Sequence, residues 1–145
     1  MKQNFLHAAL GYLENGFFVF PLRPRSKAPL TPNGFKDASN DPAQIEAWWR
    51  QHPNANIGIA TGKISGLLVL DVDGTYPEHW PQLPVTLKVK THKGWHFYFK
   101  YPKGHEIGCR VKIDGLPVDV RADGGYIVAP PSEHPEGGHY AFVNE

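Results

Sequence analysis

Cysteine is nearly absent: Cys109 is the one thiol in 145 residues. That excludes an intrachain disulfide framework and makes a reducing, cytoplasmic setting the expectation. No apolar run comes near the roughly 20 residues that a membrane-spanning helix needs, so no membrane partner is expected. The opening stretch, MKQNFLHAALGYLENG, lacks the continuous apolar core and the cleavage site of a secretory signal. Repeats and low-complexity tracts are missing too. So is net charge: 15 Lys and Arg against 14 Asp and Glu leave +1, and no global charge argument points to nucleic acid.

What is there fits one folded domain of ordinary composition, 41% hydrophobic and 20% charged. The 15 glycines and 14 prolines mark many turns. Charge is uneven locally. Between Thr86 and Lys112 lie Lys88, Lys90, Lys93, Lys100, Lys103, Arg110 and Lys112, against the single acid Glu106. Such a stretch is either a solvated face or a phosphate-contacting one.

Helical spacing of Phe5, Leu6, Ala9, Leu10 and Leu13 predicts a helix over 3–14, stopped by Gly16. FFVFPL (17–22) reads as a buried strand, and residues 23–40, rich in proline and without periodicity, as a long loop. Asn40 or Asp41 can cap the next helix, PAQIEAWWRQH, which has Pro42 in its first turn. Of the adjacent Trp48 and Trp49, one is expected to pack and the other to stay partly exposed; an exposed indole can stack on a template base. Short β-rich segments follow at 56–62, 66–73, 85–91, 94–101, 117–122, 125–130 and 139–145, with a short helix expected near 76–82. The pattern predicts an α+β, mixed α/β fold.

Three strands carry polar side chains at alternate positions. Residues i and i+2 of a strand share a face, roughly 6.5–7 Å apart. Asp71 and Asp73 therefore point one way, with Leu70 and Val72 expected to face the core. His96, Tyr98 and Lys100 share one face of the next strand, opposite Trp95, Phe97 and Phe99. Asp119 and Arg121 share a face opposite Val118 and Val120. Any one strand reads as half-exposed; together they can place Asp71, Asp73 and Asp119 in one carboxylate cluster. Like charges at close range raise each other's pKa, a cost that magnesium or manganese removes.

Two chemistries use LLVLDVDGT (67–75). It resembles the first motif of haloacid-dehalogenase-type phosphohydrolases, with the first aspartate as nucleophile. That strand normally opens a parallel α/β domain, yet here 66 residues precede it and 70 follow Thr75, with no later paired-acid motif. A catalytically silent nucleic-acid-binding module is a further alternative.

The chain as a whole resembles the bifunctional DNA primase–polymerase N-terminal domain of the archaeo-eukaryotic primase superfamily, common in plasmid, prophage and phage replication proteins. FFVFPLRPRSKAPL is similar to that family's opening strand and Lys/Pro loop, and GFKDASNDPAQIEAWWRQHPNANIGIATG to its helix and glycine-rich turn. GLLVLDVDG, THKGWHFYF and VDVRADGGYIVAPPS resemble its three catalytic motifs. Where a small hydroxyl residue often stands two places before the histidine, this chain has Gly94, with Thr91 and Lys93 upstream.

The resemblance implies an RRM-like catalytic part (67–145) behind an N-terminal helix/strand module (1–66), in a fragment of a longer replication protein. It implies two magnesium or manganese ions on Asp71, Asp73 and Asp119. His96, Arg121, Lys27, Lys93, Thr91 and Gly124 are implied nucleotide contacts; Arg121 can equally form a salt bridge to Asp71 or Asp73. Gly124 and Gly125 read as a turn near the nucleotide or as a hairpin pair, and Ser132 is a weaker candidate. Single-stranded DNA template, primer and (d)NTPs are the implied substrates, and a helicase domain or subunit the implied partner. Some relatives hold zinc between the second and third motifs; here only His105 and Cys109 stand there, too few for a tetrahedral site, and no structural zinc is expected.

Overall fold

The computed structural model describes residues 4–143. Helix α1 (Phe5–Leu13) buries Phe5, Ala9 and Tyr12, and Asn4 caps it by accepting the His7 N–H. Residue 3, where the sequence places its start, lies outside the described residues, as do residues 144–145 of the last expected strand. Helix α2 (Pro42–Gln51) buries Ile45 and Trp49. Its cap is Asp41, which accepts the Ala43 N–H at 3.0 Å. Trp49 donates from its indole to the Ala55 carbonyl, and Trp48 is half-buried.

Two antiparallel sheets carry the rest. The first has the order β1-β2-β7, from β1 (Val19–Leu22), β2 (Asn56–Ala60) and β7 (Tyr126–Ala129). The second has the order β6-β3-β5-β4-β8. Its strands are β3 (Leu67–Asp73), β4 (Leu87–Lys90), β5 (Gly94–Lys100), β6 (Val118–Arg121) and β8 (Ala141–Phe142). Numbered among themselves, its first four strands run 4-1-3-2, the order of an RRM-like sheet. The first sheet takes its third strand from beyond residue 67, so the chain passes from the second sheet back to the first between Arg121 and Tyr126.

Three differences from the sequence reading have physical causes. The helix expected near 76–82 does not form. Pro77, Pro81 and Pro84 interrupt the segment, and it instead closes on itself, with the Tyr76 hydroxyl donating to the Pro81 carbonyl. The long loop at 23–40 contains a 3-10 turn at Gly34–Asp37 and is tied down, for example by Leu30 N–H to Pro21 O.

The third difference concerns which face of the second sheet packs. Leu67, Val69, Val89 and Tyr98 join the main core with α1 and the first sheet. These lie on the same face as Asp71 and His96, because Val69 pairs with Tyr98 and Asp71 with His96. On the other face Leu70, Trp95, Phe97 and Phe99 are half-buried, with Tyr76 meeting Phe97 edge-on, whereas Val72 and its register partner Val118 are fully buried there, as expected. The inner face is apolar at one end and acidic at the other, which a rule of one apolar and one polar face does not capture.

Candidate active site

β3 runs out of the core and into a cleft between the two sheets. On its inner face Leu67 and Val69 are buried, Asp71 is half-buried and Asp73 is exposed. Asp119 on β6 is the register partner of Asp71, and His96 on β5 is its partner on the other side. Facing residues in adjacent antiparallel strands lie about 4.5–5.5 Å apart at Cα. Two carboxylates and an imidazole thus stand abreast, with Asp73 one step along.

The charges are compensated. One Arg121 guanidinium nitrogen lies 3.0 Å from Asp119 Oδ2 and 3.7 Å from Asp71 Oδ2. His96 Nε2 lies 3.4 Å from Asp71 Oδ1, and the Lys112 backbone N–H donates to Asp119 Oδ1 at 2.9 Å. Burial pushes the Asp71 carboxyl up, but His96, Arg121 and Lys27 outweigh it and hold the group below the usual carboxylate range. Burial, and then the Asp71 charge, push the Tyr140 hydroxyl up to about 12. His96 is buried, and its Nδ1, itself shut off from solvent, has no hydrogen-bond partner, an uncommon condition.

Two compartments meet at this cluster, and Lys27, Asp71, His96, Arg121 and Tyr140 line both. The more polar one, about 460 Å³, adds Asp73, Asp119, Thr91, Lys93 and the histidines His92 and His134. The other, about 330 Å³, adds Phe35, Tyr126, Cys109 and the Gly124–Gly125 turn. Both volumes are within the range of small-molecule sites. Phe35 and Tyr126 stack at 6.3 Å and give this second compartment an aromatic wall.

The structure brings Asp71, Asp73, Asp119, His96, Arg121, Lys27, Lys93 and Thr91 to the polar compartment and Gly124 to the aromatic one. Thr91 also acts locally, since its hydroxyl accepts the Gly94 N–H at 3.0 Å and shapes the turn before β5. Gly124 and Gly125 are not a hairpin pair, because β6 and β7 belong to different sheets; their turn carries the chain across the cleft wall. Ser132 is fully buried away from the cleft, its hydroxyl accepting the Ile57 N–H. Within the basic stretch, Lys93 lines the cleft, whereas Lys88 and Lys90 lie over Trp95 on the opposite sheet face. His92, His134, Glu136 and Tyr140 are cleft residues that sequence reasoning missed. The one signal was the polar density of EHPEGGHY after β7.

A mixed α/β fold of two antiparallel sheets, the larger with an RRM-like strand order, sets this chain apart from the parallel-sheet phosphohydrolases. Residues 9–145 match the family described as bifunctional DNA primase/polymerase, N-terminal, and the chain belongs to that family. No curated protein gives a significant sequence match. Family membership carries DNA primase/polymerase activity at the level of the family, with DNA and nucleotides as substrates and a general dependence on divalent metal. Among the described residues no helix is long and apolar enough to cross a membrane.

Proposed function

We propose that this chain is a template-directed DNA primase/polymerase domain. In this reading it transfers a nucleotidyl group from a (d)NTP to a primer 3′-hydroxyl or to an initiating nucleotide. The observation that carries the reading is the arrangement of Asp71, Asp73 and Asp119 on one face of two adjacent strands, at the junction of a polar and an aromatic compartment.

The donor set fits magnesium or manganese: three carboxylates, all oxygen, with a guanidinium now supplying the positive charge between two of them. Asp71, Asp73 and Asp119 would hold two such ions. When bound, the ions supply Lewis acidity that favours the ionised 3′-hydroxyl and neutralises the departing pyrophosphate. The remaining work falls to the chain's own groups. Arg121 presents a planar donor that can grip a phosphate oxygen through two parallel hydrogen bonds. Lys27 and Lys93 add ammonium groups at the polar compartment. His96, fixed against Asp71, offers an imidazole proton to a phosphate oxygen. Phe35, Tyr126 and the Gly124–Gly125 turn form a flat, half-apolar wall suited to a nucleoside. Single-stranded template would run along the open side of the cleft. The biological setting we assign is plasmid-, phage- or prophage-type replication alongside a helicase domain or subunit.

The phosphohydrolase alternative needs β3 at the centre of a parallel sheet, and every strand pairing in both sheets is antiparallel. The test is primer extension on single-stranded template with manganese and labelled nucleotides of each sugar type. The Asp71→Ala/Asp73→Ala variant should lose extension while keeping its circular dichroism spectrum. Extension at the unchanged rate would overturn the reading.

A further inference from the structure

We propose that His92, His134 and Glu136 form a separate metal site at the mouth of the polar compartment, for a zinc-class divalent ion. One ligand atom from each residue lies within 4.8 Å of the others. His92 Nε2 is 2.9 Å from Glu136 Oε2. The two imidazoles stack in parallel, with centroids 4.0 Å apart and planes 9° from one another, so sharing an ion requires one ring to turn out of the stack until its in-plane lone pair meets that of the other. His92 sits in the turn between β4 and β5. His134 and Glu136 sit in a turn after β7, closed by His134 N–H to Gly138 O and Gly137 N–H to His134 O. An ion here would tie these two turns together across the cleft.

The chemistry favours a cation and selects its class. The Glu136 carboxylate, 2.9 Å from the edge of the His92 ring, disfavours a phosphate at this spot. Two imidazole nitrogens, one carboxylate oxygen and a solvent position make the donor set of an open zinc-type site. Magnesium prefers oxygen ligands and is directed to the aspartates. The protons balance within the rings. At present His134 Nδ1 accepts the Glu136 N–H at 3.0 Å, so its proton sits on Nε2. Ligation through Nε2 moves that proton to Nδ1 and opens the bond to Glu136 N–H. Ligation of His92 through Nε2 likewise moves the proton facing Glu136 to Nδ1.

This site does not depend on the polymerase reading. It shares no ligand with the aspartate cluster, and it lies outside the interval that holds His105 and Cys109. The test is titration of the whole chain with Co²⁺ alone, followed by visible absorption. The expected result is one equivalent of Co²⁺ with the intense bands of a low-coordinate, nitrogen-bearing site, displaced by one equivalent of Zn²⁺ and not by excess Mg²⁺. Asp71→Asn/Asp73→Asn should keep those bands, whereas His92→Ala and His134→Ala should each weaken binding by more than about tenfold. His92 is exposed, so its variant should fold, which far-ultraviolet circular dichroism checks. Bands that survive in both histidine variants would overturn the proposal. So would only the weak spectrum of six oxygen ligands, or no binding at all. Loss of primer extension in the aspartate variant bears on the polymerase reading alone.

Discussion

Asp71 and Asp119 stand opposite one another on neighbouring antiparallel strands, and a single guanidinium nitrogen of Arg121 serves both, at 3.7 and 3.0 Å. Without that cation, two half-buried carboxylates would face each other at sheet spacing, and the pair would resist ionisation. Arg121 therefore holds the cluster together in the absence of divalent ions.

Replacing Arg121 by Gln should destabilise the protein by about 1–2 kcal/mol. That is above the usual value for an exposed ion pair, because all three groups are partly desolvated. Millimolar magnesium or manganese should restore part of the loss. Urea denaturation with and without the ion measures both effects. A variant whose midpoint is insensitive to the ion would mean that the carboxylates do not form a cation site.

Asp119 is the acid that comes from the second strand, so it separates a shared site from a simple pair on β3. Asp119→Asn should lower the rate of primer extension by roughly 10²–10³-fold, the scale on which loss of one preorganised charge acts on a reacting phosphate. Lys93→Ala, at an exposed ammonium of the same compartment, should instead raise KM and make activity less steeply dependent on salt. Steady-state kinetics at two salt concentrations distinguishes the two.

The alternation of residues in DVD and VDVR made the convergence of Asp71, Asp73, Asp119 and Arg121 legible, because a strand's period of two fixes side-chain direction before any fold is known. The burial of Val72 and Val118 opposite the acids was legible too, but not that the main core packs on the acids' own face. Leu70, Phe97 and Phe99 look like core residues, yet the inner face is that of Val69 and Tyr98. The deciding fact is where the first sheet ends along β3, a tertiary property. His134, Glu136 and Tyr140 carry no periodicity at all. They reach the cleft because β7 returns to the first sheet, a crossover that no local pattern encodes. Gly124 and Gly125 were legible as a turn but not as one joining two sheets.

Asp123 gives the fold a defined sensitivity to acid. Its carboxylate accepts the Lys63 N–H at 2.9 Å and the Tyr101 hydroxyl at 2.8 Å, and these bonds hold it below the usual aspartate value. A lowered folded-state pKa means that the contribution is full above the unfolded value, about 3.9, and is lost as pH falls through the folded one. Asp123→Asn should melt lower than the parent at pH 6, and below about pH 4 the two curves should converge. Melting temperatures between pH 6 and 2 test this; parallel curves would contradict it.

Gly94 stands two places before His96, and the structure shows why no side chain fits there as the chain stands. Gly94 pairs with Asp73 at the end of the β3–β5 ladder. A Cβ there would lie 1.8 Å from the Val72 carbonyl oxygen and 2.9 Å from the Gly74 nitrogen. Both obstacles are backbone, so no rotamer change relieves them. Gly94→Ser should therefore cost about 3 kcal/mol or force the strand ends apart, displacing Asp73 from Asp71. We expect a lower urea midpoint, together with a loss of primer extension that persists at temperatures where the variant is still folded. A Ser variant as stable as the parent would mean that β3 and β5 separate before residue 94, and that Asp73 is held by something other than this ladder.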